Sequence, residues 1–410
     1  MQTNVAVKWP SKFVRAEILV FEEASMLAKD RESVKAQSFG ESVIRGMTRL
    51  CNEYGGVNLS QGFPDFPAPQ QIKEAACKAV MADVNQYAVT WGSPALRAAI
   101  VTKTRAFYGL EIDGETEITV TCGATEAMVS ALLATVDPGD EVIIFAPFYE
   151  NYGPDTIICG AIPRYVQLKA PDWTFDRAEL ESAFTAKTRA IIINTPHNPT
   201  GKVFSQVELE VIAELCCRHD VLAITDEIYE HILYDGARHL PLATLPGMAG
   251  RTITINGISK TYSVTGWRIG YCLAAPEITA GIRKIHDFLT VGAPAPLQEA
   301  AAVMMACDAD YYRDLANFYQ EKRDFLLEVL TNAGFHCRVP LGAYYIMADF
   351  RSLSDLGDLD FAHYLLKEKG LAIVPGSSFL PPGTPDSGQV RFCFCKTDAT
   401  LQAAAECLRA

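Results

Sequence analysis

Features that would mark a membrane, secreted or nucleic-acid-binding chain are scarce in this 410-residue sequence. No apolar run approaches the roughly 20 residues that a membrane-spanning helix needs. The first residues lack the apolar core of a signal peptide, because Val14 to Phe21 is interrupted by Arg15 and Glu17. Twelve cysteines are scattered without a C-x-x-C pair, and Cys216 and Cys217 are adjacent on a predicted helix. That argues against a zinc site or a disulfide frame and for free thiols in a reducing cytoplasm. Basic residues are in deficit: 36 Lys and Arg against 49 Asp and Glu leave a net charge of −13, which argues against a nucleic-acid footprint. There are no internal repeats and no low-complexity tracts. What is present, 49% hydrophobic and 21% charged residues, fits a globular enzyme long enough for two domains.

The most informative stretch is Asn256-Gly-Ile-Ser-Lys-Thr-Tyr-Ser-Val-Thr-Gly-Trp-Arg-Ile-Gly270. It lies between Thr252–Ile255 and Ile269–Leu273, two apolar runs that read as short buried strands. A lysine on such a turn, Lys260, is costly to desolvate, and its pKa is expected to fall toward neutrality. That suits an amine that attacks a carbonyl. Arg268 is a fixed cationic fork suited to a phosphate. The ordinary alternative is a surface turn with a solvated Lys and Arg.

Other candidates stand at strand ends. Glu117–Thr121 reads as a strand, and Cys122-Gly-Ala-Thr-Glu126 opens the helical run Ala127–Val136. Free amides and the positive end of the helix dipole would then meet an anion at Gly123, Ala124 and Thr125. A plain strand–helix turn has the same composition. Val221–Thr225 ends in Asp226-Glu227, where a carboxylate stands at the strand end at which α/β folds place ligands, or simply caps a helix. Tyr229, three residues on, could reach the same ligand or be packed. Arg189–Asn194 runs into Thr195-Pro-His-Asn-Pro-Thr-Gly-Lys202, an irregular polar turn in which His197 has no evident base or nucleophile beside it. Ser205 with Glu208 forms a capping box. Tyr149 ends another strand, Gly62 lies in the Gly/Pro-rich run Val57–Pro67, and Tyr87 precedes Trp91-Gly-Ser-Pro-Ala-Leu-Arg97. Arg391, flanked by apolar residues on the last predicted strand, must pair with an anion, either a structural carboxylate or a ligand.

Taken together, Ser259-Lys-Thr-Tyr262 with Thr265-Gly-Trp-Arg-Ile-Gly270, the Gly-Ala-Thr-Glu turn at 123 and the Asn-Pro turn at 198 resemble the class I aminotransferases, pyridoxal 5′-phosphate (PLP) enzymes of the aspartate aminotransferase fold (fold type I). The resemblance covers roughly residues 40–410. It implies that Lys260 is the catalytic, cofactor-bearing lysine and that Gly123, Ala124, Thr125 and Arg268 hold the phosphate. It further implies that Tyr149 stacks on the pyridine, Asp226 faces its nitrogen, and Asn198 and Tyr229 bond its phenolic oxygen. Tyr87 would reach the partner subunit's cofactor phosphate, the backbone at Gly62 would lie over the substrate, and Arg391 with Asn198 would bind the substrate carboxylate. No metal is implied. Many members carry Ser three positions before the lysine, where this chain has Gly257. The string Arg391-Phe-Cys-Phe-Cys-Lys396 through Asp398–Ala403 is similar to the kynurenine/glutamine transaminase branch, whereas Val291–Pro296 departs from that branch's animal members.

The fold expected is α/β, with a large domain whose mainly parallel seven-stranded sheet is covered by helices on both faces, plus a smaller C-terminal α/β domain. The expected divisions are an N-terminal arm at 1–35 with a possible helix Arg15–Lys29, a segment at 36–55 packing with the small domain, the PLP-binding domain at 56–297, and the small domain at 298–410. The expected activity is amino transfer between an L-amino acid and a 2-oxo acid by a cytoplasmic homodimer with shared sites, without nucleic-acid or membrane partners. A cysteine-conjugate β-lyase, an aspartate-specific aminotransferase and a non-enzymatic cofactor-binding regulator are the alternatives. Substrate choice is open. Tyr149, Tyr152, Tyr344 and Phe39 suggest an aromatic-tolerant pocket, and Arg283 or Arg45 could serve a second carboxylate.

Overall fold

The computed structural model describes residues 31–409. The predicted helix Arg15–Lys29 and most of the arm lie outside the described residues. The central sheet has seven strands: β2 (Ile118–Thr121), β3 (Glu141–Ala146), β4 (Ile162–Gln167), β5 (Thr188–Asn194), β6 (Leu222–Asp226), β7 (Thr252–Gly257) and β8 (Gly270–Leu273). Their spatial order is β2-β8-β7-β6-β5-β3-β4. β8 is antiparallel to both its neighbours and so runs against the other six. All residues of β2, β3 and β7 are buried, as expected where helices cover both faces and the strands read as unbroken apolar runs. β4 is the strand that the apolar runs leave unmarked. Its exposure alternates and it carries Pro163, both of which suit the sheet edge it occupies.

Helix starts follow local chemistry. Ser93 caps Pro94–Tyr108, where Pro94 opens the first turn, and Ser205 with Glu208 closes a complete capping box at Gln206–His219. The break after Pro276–Thr290 is only four residues long, and a further helix, Ala295–Met305, starts with two prolines in and beside its first turn.

A second core surrounds a four-stranded antiparallel sheet of β9 (His336–Cys337), β10 (Tyr345–Asp349), β12 (Val374–Pro375) and β13 (Gln389–Cys393). The apolar stretch 371–374 splits: β11 (Leu371–Ala372) pairs in parallel with β1 (Val57–Asn58), and β12 joins the four-stranded sheet. The helix Val43–Tyr54 contributes Met47 and Cys51 to this core. The expected division at 297 falls inside Ala295–Met305, whose Ala300, Ala301 and Met304 share a core with Ile72 and Ile100 of the larger unit. We propose that the division lies along the helix Ala309–Asn332. Its Tyr312 belongs to the larger unit's core, and its Tyr319, Leu326 and Leu330 belong to the smaller one's.

Candidate active site

The parallel strands end on one side of the sheet, where α/β folds place ligands. Asn194 and Asp226 close β5 and β6 as register partners, and Lys260 follows β7 by three residues. These ends open into a cavity of about 450 Å³ lined by Gly62, Ala124, Thr125, Tyr149, Asn198, Asp226, Tyr229, Lys260, Arg268 and Arg391. Ten of the twelve residues to which the resemblance gives a site role therefore meet in one cavity, Gly123 and Tyr87 being the two outside its lining.

Lys260 reaches across the cavity floor. Its Nζ donates to the Gly62 carbonyl at 3.3 Å and lies 5.8 Å from the centre of the Tyr344 ring. Burial pulls its pKa down from 10.5 to about 8, the Arg268 and Arg391 charges push the same way, and Asp226 opposes them. Asp226 accepts the Tyr152 hydroxyl at 2.7 Å on one oxygen and the Ile228 amide at 3.2 Å on the other. Burial raises its pKa against both bonds. Glu227 faces the opposite way, onto His239 Nε2 at 2.7 Å and the Thr225 hydroxyl at 2.8 Å. The alternation of a strand end thus chooses between the adjacent acids.

The turn at Gly123 and the Arg268 guanidinium are built against each other. A methyl group on Gly123 would lie 2.3 Å from an Arg268 nitrogen, and Gly123 has φ +84. Gly270 is equally constrained, since its Cβ would lie 2.4 Å from the Gly123 carbonyl carbon. Arg268 itself adopts a left-handed backbone, φ 55, and among the described residues it forms no ion pair. Gly257 pairs with Gly270, and a side chain there would meet the Ile269 carbonyl at 2.9 Å, so this backbone has no room for serine. Ser259, two residues on, lines the cavity instead.

Arg391 is 1% exposed. It donates to Asn198 Oδ1 at 2.8 Å and to the Ser60 carbonyl at 2.7 Å, and its guanidinium lies 4.2 Å from the Tyr345 ring centre. Its Nε has no partner, and among the described residues no carboxylate pairs with it. A buried guanidinium without an anion is costly. Gly62 is pinned beside it, because a Cβ there would lie 2.1 Å from the Tyr345 hydroxyl. That hydroxyl is 2.9 Å from the hydroxyl of Tyr229.

Tyr87 stands apart, 87% exposed on the loop before Trp91. His197 is buried with Nδ1 2.7 Å from the Thr200 hydroxyl, and burial pushes its pKa down to about 3, so it stays a neutral packing residue. Arg283 lies over the Trp91 ring and donates to the Ile118 carbonyl at 2.6 Å, away from the cavity, whereas Arg45 lines it. Of the four suggested pocket aromatics, Tyr149 and Tyr152 line the cavity. Phe39 lines an adjoining cavity, and Tyr344 donates to the Gly62 carbonyl. Asn194 and Tyr345 are additions. Asn194 accepts the Asn198 amide at 2.7 Å and donates to the Asp226 carbonyl at 2.9 Å. Its position at the end of the apolar run 190–193 was the available signal. Tyr345 carried none beyond its neighbour Tyr344.

The donor set fits pyridoxal 5′-phosphate: an anion cradle at the Gly123 turn and Arg268, a buried carboxylate at Asp226 for a ring nitrogen, and a primary amine at Lys260. A family model described as aminotransferase class I and II matches residues 54–408. The chain is 37% identical to methionine aminotransferase of Escherichia coli (strain K12), over 92% of this chain and 97% of that protein. It is 39% identical to kynurenine–oxoglutarate transaminase 3 of Mus musculus, over 94% and 91% respectively. The solved structure of N-succinyldiaminopimelate aminotransferase from Mycobacterium tuberculosis superposes with a TM-score of 0.89 at 40% identity, covering 92% of this chain and 99% of that one.

Proposed function

Because this chain belongs to the class I and II aminotransferases, enzymes that use pyridoxal 5′-phosphate, we propose that it carries an amino group from neutral or aromatic L-amino acids to a 2-oxo acid in two half-reactions. The observation that carries the proposal is Arg391. It is a buried guanidinium with a free Nε and no acidic partner among the described residues, and it opens into the same cavity as Lys260 and Asp226. A substrate α-carboxylate would supply the missing anion in bidentate geometry. Tyr149, Tyr152 and Tyr345 in the lining support neutral and aromatic side chains.

When bound, the cofactor ring acts as the sink for the electrons of the substrate Cα–H bond. The rest falls to this chain's side chains. Gly123, Ala124 and Thr125 at the helix start, with Arg268, would hold the phosphate. Asp226, braced by Tyr152 and Asn194, would keep the ring nitrogen protonated. Tyr149 would pack against the ring face, and Asn198 and Tyr229 would bond the phenolic oxygen. Lys260 would hold the cofactor covalently. When free, its Nζ, with a pKa lowered toward neutrality, would take the proton from the substrate Cα and hold it for return. Arg391 and Asn198 would fix the Cα–H bond over the ring, with the Gly62 backbone above the substrate, and that alignment favours transfer over decarboxylation or elimination. Tyr87 would serve the partner subunit's cofactor phosphate. The exposed apolar residues Tyr87, Phe288, Leu289 and Val291 support a homodimer, and twelve free cysteines support the cytoplasm.

Lys260→Ala should lose both turnover and the visible absorbance of the bound cofactor; an active, coloured variant would refute the assignment. A single-turnover screen of amino donors, read by cofactor absorbance, tests substrate class. Reaction with aspartate and glutamate alone would overturn the neutral or aromatic reading. Catalytic pyruvate release from an amino acid without any oxo-acid acceptor would point to β-elimination.

A further inference from the structure

The helix Ala124–Thr135, whose first turn would hold the cofactor phosphate, carries an acid of its own in that turn, Glu126. A carboxylate there draws on the same positive helix end that a phosphate needs. Its side chain is 9% exposed and is bonded on both oxygens. The Cys122 amide donates to Oε2, the Thr290 hydroxyl donates to Oε1 at 2.9 Å, and His286 Nδ1 lies 2.5 Å from Oε1. His286, on the helix Pro276–Thr290, is fully buried. Its Nε2 lies 2.8 Å from the Thr90 carbonyl, which can only accept. Both ring nitrogens therefore face acceptors and both carry hydrogen, so the pair is an imidazolium and a carboxylate. Burial opposes that charge, but the Glu126 and Thr90 bonds outweigh it and raise the His286 pKa from its ordinary 6.5.

Among the described residues, the other titratable groups facing this pair are two thiols, an acid and an arginine. Burial and Glu126 push the Cys122 thiol up, and burial pushes the Cys272 thiol up to about 12. Asp287, on the ring's own helix, adds to the rise of the His286 pKa. Arg283, also on that helix, is turned onto Trp91 and the Ile118 carbonyl. The pair is joined to both segments assigned to a cofactor phosphate. Glu126 holds the amide just before Gly123, and the Cys122 thiol feels the charges of both Glu126 and Arg268. Thr90 lies on the loop that carries Tyr87.

We infer that His286 is a positioning residue for the cofactor phosphate: its imidazolium cancels the Glu126 charge at the start of the phosphate-binding helix and keeps Glu126 on the Cys122 amide. The inference rests on the phosphate cradle proposed above and adds the group that sets its charge. Because the folded pKa is raised, the proton is present at pH 6.5 and is lost as pH rises through the folded value. The bare Glu126 carboxylate then opposes the phosphate, so PLP is held less tightly on the alkaline side.

The test is absorbance titration of the full-length apoenzyme with PLP and with phosphate-free pyridoxal. It runs from about pH 7, above the phosphate's own second ionisation, to about pH 9.5. Both aldehydes meet Lys260, so its titration cancels in the pyridoxal-to-PLP ratio of Kd values, which reads the phosphate alone. In the wild type this ratio should be high near pH 7 and fall about fivefold or more on the alkaline side. His286→Gln can bond Glu126 but carries no charge, and its ratio should start at the low level and stay flat. Glu126→Gln removes the charge to be cancelled, and its ratio should stay high across the range. Overturning results are a wild-type ratio that is flat with pH, an alkaline fall that persists in His286→Gln, or a Glu126→Gln ratio as low as that of His286→Gln, the mark of a merely structural contact. Should His286→Gln fail to fold, the wild-type profile and Glu126→Gln still decide. A wild type that binds PLP no more tightly than pyridoxal would instead overturn the phosphate cradle itself.

Discussion

The state of Lys260 before it meets the cofactor makes a sharp prediction. Its pKa is lowered to about 8 by burial, with Arg268 and Arg391 adding to the effect. At pH 7 about one amine in eleven is then neutral, against roughly one in three thousand for an ordinary lysine, a gain of about 300-fold in reactive amine. The apoenzyme should therefore take up pyridoxal 5′-phosphate at a rate that climbs about tenfold per pH unit up to a break near pH 8 and is level above it. The assay is stopped-flow growth of the bound-cofactor absorbance from pH 6 to 9.5. Because Arg268 lowers the lysine's pKa, Arg268→Met should move the break upward as well as weaken binding. The sign is the same in stability. A folded-state pKa below the unfolded 10.5 costs the apo-protein stability at pH 7, and that cost is relieved as pH rises between about 8 and 10.5. A rate that keeps climbing past pH 9.5 without a break would refute the view that burial activates this amine.

Three further outcomes follow from the geometry. Gly123→Ala puts a methyl group 2.3 Å from an Arg268 nitrogen at a left-handed backbone position. It should weaken PLP affinity by about tenfold or more while affecting phosphate-free pyridoxal less, as read by equilibrium absorbance titration. Arg391→Met should cost amino-acid half-reactions about 2–5 kcal/mol in kcat/KM while leaving the cofactor absorbance in place, measured by single-turnover kinetics. Tyr152→Phe removes the 2.7 Å bond to Asp226. This should raise the Asp226 pKa further and reduce kcat by about 1.5–3 kcal/mol, with the acid limb of the kcat–pH profile displaced to higher pH.

The strands of the central sheet were legible because they are buried on both faces, which forces the unbroken apolar runs at 142–145, 190–193 and 222–224 into the sequence. The edge strand β4 was not, because one-sided burial and Pro163 erase that signal. The capping box at Ser205 could be read directly, since its bonds span three residues. The helix Ala295–Met305 was hidden behind Pro294 and Pro296, which look like an end and serve as a beginning. In the site, Lys260, Gly123 and Arg268 showed through the resemblance of their motifs, since their turns alone left an ordinary solvated reading open. Asn194 and Tyr345 did not show, because their significance is a contact across distant parts of the chain.

By itself the sequence determined which strands are buried, and its motifs, through their resemblance to a family, named the turn and the lysine expected to meet a cofactor. These depend on residues within one turn or strand of each other. Tertiary structure alone decided that Glu227 turns away from the cavity onto His239, that Arg45 and not Arg283 borders it, that Gly257 has no room for a side chain, and that Arg391 lacks an acidic partner among the described residues. Each of those turns on direction and distance between segments far apart in the chain, and burial, pairing and pKa exist only once those segments have met.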